Sequence, residues 1–345
     1  MTEWQWIQGF AEQFRRCGVH EGEPVTILSE TRSRASLVET SLLAAQSLGA
    51  RVCQVVMPTP ANPGPVAIRS TGASVALRGH EAAIAALSAG GMVVDCTVEG
   101  LLHSVELPRI LGSGSRVLMI SNEHPENFER FGPVPGLEDR VAKGKELIDA
   151  ARTMRVTSAH GTDLTVDLSG AMRAGSTGLT DGPGSIAHWP GGLVIAFPAR
   201  DTVNGTAVLA PGDINLTFKR YVERPVTLRF ENDVLVAIEG DGVDAEMFRS
   251  YIAAWNEPEA YAVSHVGWGM NPAARWDYLE LYDKGDVNGT EARAFAGNFL
   301  ISTGANEVAG RYTAGHFDLP MRGCTVTLDG TPVVSEGVLA GELAP

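Results

Sequence analysis

The character of the sequence changes near Arg155, and this change constrains the fold more than any other feature. Before it, apolar runs alternate with helix-like segments; after it, short runs are separated by Gly, Asn or Asp. Continuous apolar runs alternating with helices are typical of a parallel sheet covered by helices. Short runs between turn residues are typical of antiparallel strands. The sequence therefore predicts an α/β fold in two parts, a parallel-sheet α/β domain over residues 1–155 and a β-rich α+β domain over residues 156–345.

The first part contains five predicted strands and four predicted helices. The strands are Val25–Leu28, Val52–Met57, Ser74–Leu77, Met92–Cys96 and Arg116–Ile120. The helices are Met1–Gly18, Ser36–Leu48, His80–Ala89 and Leu137–Met154. The first helix is amphipathic, with an apolar side formed by Trp4, Ile7, Phe10 and Phe14. No GxGxxG follows the first strand and no GxxxxGK[ST] occurs, so neither a dinucleotide site nor a P-loop is predicted.

The second part is predicted to be mostly antiparallel sheet with one helix, Ala245–Trp255. Its predicted strands are Val156–Ser158, Leu164–Leu168, Gly192–Phe197, Ala207–Leu209, Val226–Glu231 and Val234–Glu239. From Tyr261 onward, strand-like runs flank His265 and His316.

The net charge and the cysteine pattern argue against several classes of function and location. The net charge of −14 argues against nucleic-acid binding and against docking on an anionic membrane, because both need basic surface. No signal peptide is recognisable, and no apolar stretch approaches the roughly 18 residues of a membrane span. The four cysteines are scattered without CxxC spacing, and Cys53 and Cys96 lie in apolar runs where a thiol behaves as a small hydrophobe. We expect a cytoplasmic, reduced protein without a membrane partner.

A histidine-x-aspartate pair near the C-terminus, His316 and Asp318, is the strongest chemical signal. Residues two apart in an extended strand face the same side, so the imidazole and carboxylate would lie side by side. With His265 added, two nitrogens and one oxygen would share a face, a donor set that suits non-haem Fe(II). Spacing alone leaves another interpretation open, in which Asp318 caps a turn and His316 is a hydrogen-bonded core residue.

The eight histidines divide into two groups. His20, His80 and His124 lie in polar turns or helix starts, and His160 lies in a predicted hairpin. The other four lie near apolar, Gly- or Pro-rich sequence of the kind that lines pockets: His103, His188, His265 and His316.

Four segments carry a family resemblance: HVGWGMNP from His265, GHFDLPMRG from Gly315, PGGLVIAFP from Pro190 and TVTLDG from Thr325. The chain resembles the M29 aminopeptidase fold and, within it, the 2,5-dihydroxypyridine 5,6-dioxygenases of bacterial nicotinate and picolinate degradation. The resemblance extends over essentially the whole chain and is most specific in its last 90 residues. It implies an Fe(II) ion held by two histidines and one aspartate, which correspond to His265, His316 and Asp318.

The same resemblance implies a reaction. The substrates would be a small aromatic N-heterocycle, 2,5-dihydroxypyridine, and O2; the product would be N-formylmaleamate. Two active-site histidines that do not bind the metal would correspond to His103 and His188, as acid and base, although each also fits a packing role. Leu102, Trp189, Trp268 and Phe317 could line the ring pocket, but aromatic residues near a strand are more often core. The family tends to form oligomers, so a homo-oligomer is expected.

Two alternatives stay open at this point. A metallo-aminopeptidase of the same fold would have a glutamate where His265 stands and another in the stretch Phe197–Asp201, and this chain has neither. Two-metal hydrolysis needs several bridging carboxylates, so one carboxylate with two imidazoles better suits a single iron. The second alternative is a non-catalytic member that retains only the fold.

Overall fold

The structure is a computed structural model that describes residues 2–62 and 74–344. The helices are α1 Trp4–Arg16, α2 Ala35–Ser47, α3 Glu81–Leu87, α4 Leu107–Gly112, α5 Asn127–Arg130, α6 Leu137–Ala150, α7 Val243–Trp255 and α8 Thr290–Ala294. The first ten strands are β1 Pro24–Glu30, β2 Arg51–Met57, β3 Met92–Asp95, β4 Arg116–Met119, β5 Thr153–Ser158, β6 Asp163–Asp167, β7 Met172–Ser176, β8 Ile186–His188, β9 Leu193–Phe197 and β10 Val203–Leu209. The others are β11 Ile214–Asn215, β12 Arg220–Tyr221, β13 Val226–Glu231, β14 Val234–Glu239, β15 Val263–Gly269, β16 Phe299–Thr303, β17 Phe317–Met321, β18 Cys324–Leu328, β19 Thr331–Ser335 and β20 Val338–Leu339.

The first sheet is parallel, in the strand order β2-β1-β3-β4-β8. Strand β3 is buried along its whole length, as expected for a strand covered by helices on both faces. Helices α1 and α2 bury Phe10, Phe14 and Leu37 in the core on one face of this sheet. The predicted parallel α/β sheet is confirmed.

Two large antiparallel sheets and a small two-stranded one, β11-β12, make up the other sheets of the described residues. One has eight strands in the order β14-β13-β10-β6-β5-β18-β19-β20, and the other has five in the order β17-β16-β15-β9-β7. In the second, β15, β16 and β17 are buried at every position. A single apolar core joins both sheets with α6 and α7. The predicted β-rich architecture is confirmed, and its most buried sheet holds the candidate metal ligands.

The two parts exchange elements near the predicted boundary. Strand β8 follows residue 155 in the chain, yet it is the last strand of the parallel sheet. Helix α6 precedes that point but packs Leu137, Val141 and Ile148 into the core of the antiparallel part. The division into residues 1–155 and 156–345 stays a prediction.

The predicted strand Ser74–Leu77 is wrong, because these residues join no sheet and residues 76–79 form a turn. The Ser74 hydroxyl donates to the Glu30 carboxylate at 2.5 Å, and its backbone N–H donates to Gly100 at 2.7 Å. Leu77 is fully buried in the core beside α3 and α4 without joining a sheet. A short apolar run can therefore be buried by a turn as well as by a strand, and periodicity does not separate the two cases.

Two other local expectations are also wrong. The predicted helix Leu137–Met154 ends at Ala150, because Met154 pairs with Leu328 in the ladder between β5 and β18. Helix α1 is amphipathic as predicted, with Phe10 and Phe14 buried and Trp4 62% exposed at its start. Cys53 is exposed on β2, which is an edge strand, whereas Cys96 is buried as expected. Each difference depends on contacts distant in sequence.

In the part of the chain that the structure describes, helices long and apolar enough to span a bilayer are absent.

Phe248 on α7 packs in the core directly beneath the candidate site, and its replacement measures how much this packing stabilises the fold. Its ring stacks on Phe317 at a centroid distance of 4.0 Å and an angle of 6°, and Phe317 lies between His316 and Asp318. We expect Phe248→Ala to lower the free energy of unfolding by about 3–5 kcal/mol, through lost burial and the remaining cavity. Trp4→Ala, at an exposed position of α1, should change it by less than about 0.5 kcal/mol. Urea denaturation of both variants measures the difference; equal stabilities would contradict this account of the core.

Candidate metal centre and active-site cavity

Three neighbouring strands align His265, Ser302 and Asp318 on one face. Asp318 on β17 pairs directly with Ser302 on β16, and His265 lies where the register of β15 shifts against β16. The Ser302 hydroxyl lies 2.7 Å from Oδ1 of Asp318 and 2.9 Å from each ring nitrogen of His265. Side chains opposite one another on antiparallel strands are near neighbours. The strand register thus brings together residues that are up to 53 positions apart in sequence.

His316 joins this group from the residue just before β17. Its Nε2 lies 3.3 Å from Oδ2 of Asp318, while Nε2 of His265 lies 3.5 Å from Oδ1 of the same carboxylate. Gly304 has a φ of +125°, and a Cβ there would lie 3.0 Å from Nδ1 of His316. That Cβ would also lie 2.4 Å from the carbonyl oxygen of Gly315, so only a glycine fits at this position without moving the segment that carries His316. Strand β17 begins at Phe317, whereas the HxD pattern predicted that His316 lies in the strand as well. The side chains of His316 and Asp318 are nevertheless neighbours.

The donor set fits one transition-metal ion. Within the described residues, His265, His316 and Asp318 are the group whose ligand atoms all lie within 4.8 Å of one another, and all three are buried. Donors at adjacent corners of an octahedron, each about 2.1 Å from the ion, lie about 3 Å apart. The separations of 3.3 and 3.5 Å are close to this value. Two nitrogens and one oxygen on one side would leave the opposite side of a bound ion open to small molecules.

The charge state of the ligands also suits a cation. Burial lowers the pKa of His265 to about 3, against the opposing effect of Asp318, so the ring is neutral and has a free lone pair. Burial alone would raise the pKa of Asp318, but Arg293 and the two histidines outweigh it and hold that pKa well below its usual range. Asp318 is therefore an anion at neutral pH, as a ligand carboxylate must be.

Arg293 on α8 is a functional candidate that sequence reasoning missed. Its Nε and Nη2 donate to Oδ2 of Asp318 at 2.7 and 2.5 Å. The side chain of Arg293 also lines a cavity beside the triad. Ser302 was missed as well. The residues around Arg293, Glu291-Ala292-Arg293, form no motif that indicates its role. Ser302 is a polar residue at the end of the apolar run Phe299–Ser302, which is a weak indication of function.

Two buried carboxylates hold the short helix α8 that carries Arg293. Glu123 accepts the backbone N–H groups of Gly289 and Thr290 at 3.1 and 3.0 Å, at the N-terminus of this helix. Glu291 forms an ion pair with Arg130 at 2.7 Å. A carboxylate at a helix N-terminus satisfies unpaired donors and complements the helix dipole. The position of Arg293 is thus determined by charges that are buried away from the cavity.

His103 and His188 come from the carboxyl-terminal edge of the parallel sheet. His188 ends β8, opposite Met119 of β4. His103 lies in the loop after β3, which Asp95 holds by accepting N–H groups of Thr97 and Leu101 at 2.9 and 3.0 Å. Ligands of open α/β sheets bind at this edge. Here the edge faces the triad, and the rings of His103 and His316 lie 5.6 Å apart.

The cavity between the two sheets has a volume of about 400 Å³, enough for a single aromatic ring. Its walls contain all four histidines singled out from sequence, together with Asp318, Arg293 and Lys219. Its apolar lining includes Leu102, Met119, Pro190, Leu193 and Ile195. Of the four candidate wall residues, Leu102 lines the cavity. Trp189, Trp268 and Phe317 are core residues, and Trp189 stacks on Phe128.

Comparison with known proteins agrees with this site. A sequence profile of the 2,5-dihydroxypyridine 5,6-dioxygenase family matches residues 5–341. The chain belongs to this family. It is 38% identical over 337 residues to the 2,5-dihydroxypyridine 5,6-dioxygenase of Pseudomonas putida KT2440, covering 96% of this chain and 95% of that protein. The family resemblance stated from the sequence is confirmed.

Solved structures agree on the fold. The structure of 2,5-dihydroxypyridine dioxygenase from Pseudomonas putida KT2440 has a TM-score of 0.92 and 37% identity, covering 99% of this chain and 98% of that one. Wild-type AmpT from Thermus thermophilus has a TM-score of 0.64 at 15% identity, covering 98% and 99%. The second likeness shows only a shared fold. The predicted M29 aminopeptidase-like fold is therefore confirmed.

Metal binding by the triad stays a prediction, and His316→Ala tests it. Because the variant lacks one of the two nitrogen donors, we expect it to lose most of its Fe(II) after anaerobic loading and desalting, with its fold retained. Iron is measured by elemental analysis and the fold by circular dichroism. His160→Ala, at an exposed hairpin turn, is the matched control and should keep its iron. Full iron in His316→Ala would rule out this ligand assignment.

Proposed function

We propose that this protein binds one Fe(II) through His265, His316 and Asp318 and cleaves 2,5-dihydroxypyridine with O2. The C5–C6 bond breaks, both oxygen atoms enter the product N-formylmaleamate, and no external reductant is consumed. The observation that carries the proposal is the triad on one wall of a ring-sized cavity whose other walls hold two further histidines and an arginine. Family membership supports the substrate, because the relative from Pseudomonas putida is named for it.

Ferrous iron, when bound, supplies the electron path between triplet dioxygen and a singlet aromatic ring, which react slowly with each other alone. The protein's own residues perform the remaining tasks. Leu102, Leu193 and Ile195 pack against a flat ring and exclude water from it. Arg293 neutralises part of the negative charge of Asp318 and lies where an oxygen anion of the ring or of the product can pair with it.

His188 is suited to accept the proton of the ring hydroxyl. Burial lowers its pKa to about 4, with Arg293 and His103 acting in the same direction and Asp318 opposing them. The ring is therefore neutral at pH 7 and has a lone pair to accept a proton. A bound divalent cation would lower the pKa further, so the direction of the shift is unchanged by metal. His103 is the second candidate, for donating or accepting a proton on the side of the cavity near His316.

An aminopeptidase activity receives less support from the geometry. Two-metal hydrolysis depends on carboxylates that bridge two cations. The clustered ligand group here contains one carboxylate, Asp318, and that carboxylate is already shared with Arg293. A binding protein without catalysis would not need neutral, buried imidazoles beside a cavity of this size.

The proposal includes a cytoplasmic location and a homo-oligomeric state. Cys17, Cys96 and Cys324 are buried free thiols, which are typical of a reducing compartment. The oligomer is inferred from the tendency of the family.

Oxygen labelling tests the reaction class. With 18O2 gas, we expect two labelled oxygen atoms in the ring-opened product, after correction for carbonyl exchange with water. Mass spectrometry of early time points under single-turnover conditions measures the label. One labelled atom, with the other oxygen from solvent, would contradict a dioxygenase, and amino-acid anilide hydrolysis without O2 would favour the peptidase.

The acid–base assignment has its own test in His188→Ala and His103→Ala. We expect turnover to fall by about 10²–10⁴-fold in each variant, the usual contribution of a positioned acid or base. Iron content should stay nearly unchanged, because neither residue belongs to the ligand group. Turnover, iron and melting temperature are measured on one sample of each. Near-normal turnover with a lowered melting temperature would make that histidine a structural residue.

A further inference from the structure

His103 lies between two cavities, and its two ring nitrogens have different surroundings. Its side chain is only 3% exposed, yet it lines both the 400 Å³ active-site cavity and a second cavity of about 170 Å³. On the side of the second cavity, Nδ1 lies 2.9 Å from Oε1 of Glu307. The other nitrogen, Nε2, is buried without a hydrogen-bond partner among the described residues. The two nitrogens of this ring therefore have different environments.

Glu307 is held in place by its own turn. It begins a short 3-10 helix, Glu307–Ala309, which Asn306 caps by accepting the N–H of Ala309 at 3.1 Å. Asn306 is fully buried and its amide donates to the carbonyl of Pro198 at 2.9 Å. The side chain of Glu307 is 42% exposed, while its carboxylate reaches the buried ring of His103. A carboxylate on an anchored turn can orient its partner at small entropic cost.

The charge of Glu307 favours one tautomer of His103. Burial would raise the pKa of this carboxyl, but the hydrogen bond from His103 and smaller effects together outweigh burial and lower that pKa. An ionised carboxylate only accepts hydrogen bonds, so it requires a proton on Nδ1. In a neutral ring, the lone pair is then on Nε2. Carboxylate partners fix histidine tautomers in this way in many metal and catalytic sites.

We propose that Glu307 is a positioning residue for His103, which it holds as the Nδ1–H tautomer with Nε2 free to act in the active-site cavity. This inference rests on the proposed function, in which His103 transfers a proton. Glu307 itself does not touch the substrate. It acts on the reaction through the orientation and tautomer of one imidazole.

The tautomer can be measured without activity or metal. In metal-free protein labelled with 15N-histidine, we expect the two-bond 15N–1H correlations of His103 to show a protonated Nδ1 and an unprotonated Nε2. His103→Ala identifies the signals. In Glu307→Ala this preference should be lost. A ring protonated at Nε2 in the unaltered protein, or an unchanged spectrum in Glu307→Ala, would overturn the assignment even if the enzyme is active.

A double-mutant cycle tests the catalytic consequence. We expect Glu307→Ala to lower kcat by about 10–100-fold, with KM within about two-fold and iron content unchanged. Glu307→Gln keeps an acceptor oxygen and should recover part of the loss. In the His103→Ala background, Glu307→Ala should cause no further loss, because its effect passes through that ring. Val308→Ala, next on the same exposed turn, is the matched control and should keep the kcat of the unaltered chain.

The outcomes separate this inference from the proposed function. Independent losses from Glu307→Ala and His103→Ala that multiply in the double variant would overturn the positioning role. So would an unchanged kcat in Glu307→Ala, or a loss of iron in that variant. If the unaltered, iron-loaded chain fails to cleave the ring, the proposed function fails, while the tautomer measurement still decides whether Glu307 positions His103.

Discussion

The hydroxyl of Ser302 connects Asp318 to His265 across three antiparallel strands, and this contact depends on strand register. A shift of one residue between β16 and β17 would turn Asp318 to the opposite face of the sheet. The irregular register between β15 and β16 is equally necessary, since His265 lies within it. Full burial of all three strands makes a slip costly, because their apolar residues would lose their core contacts. The rigidity of this sheet is therefore what positions the candidate ligands.

Burial of so many ionisable groups has a cost that the surrounding charges offset. A buried carboxylate without a partner is strongly unfavourable, and Asp318 obtains one from Arg293. Arg293 in turn depends on α8, whose start is held by Glu123. A cation at the triad would share Asp318 with Arg293, so one carboxylate would serve both charges. The positive side chain remaining in the cavity suits a reaction that converts a neutral ring into an acid.

The second half of the site comes from a different sheet. His188 and the loop carrying His103 lie at the carboxyl edge of the parallel strands, where open α/β sheets usually bind ligands. The antiparallel sheet carries the candidate metal ligands, and the parallel sheet carries the candidate proton-transfer groups. Strand β8 belongs to the first sheet although it follows β5, β6 and β7 in the chain, and the two sheets face each other across one cavity. Glu307 adds to this arrangement, because its contact with Nδ1 of His103 favours a lone pair on Nε2 of the same ring.

The sequence by itself determined the class of fold, the family and the five candidate residues, because apolar periodicity and short motifs are local properties. The HxD pair and the four histidines near apolar segments were visible for the same reason. The tertiary structure alone decided which aromatic residues are core and that Ser74–Leu77 joins no sheet. It also decided that the helix predicted over Leu137–Met154 ends at Ala150 and that Met154 lies in a strand. It also revealed Arg293, Ser302 and Glu307, whose partners are 16 to 204 positions away. Those roles arise from strand register and the packing of buried charges, and neither leaves a pattern within a short stretch of sequence.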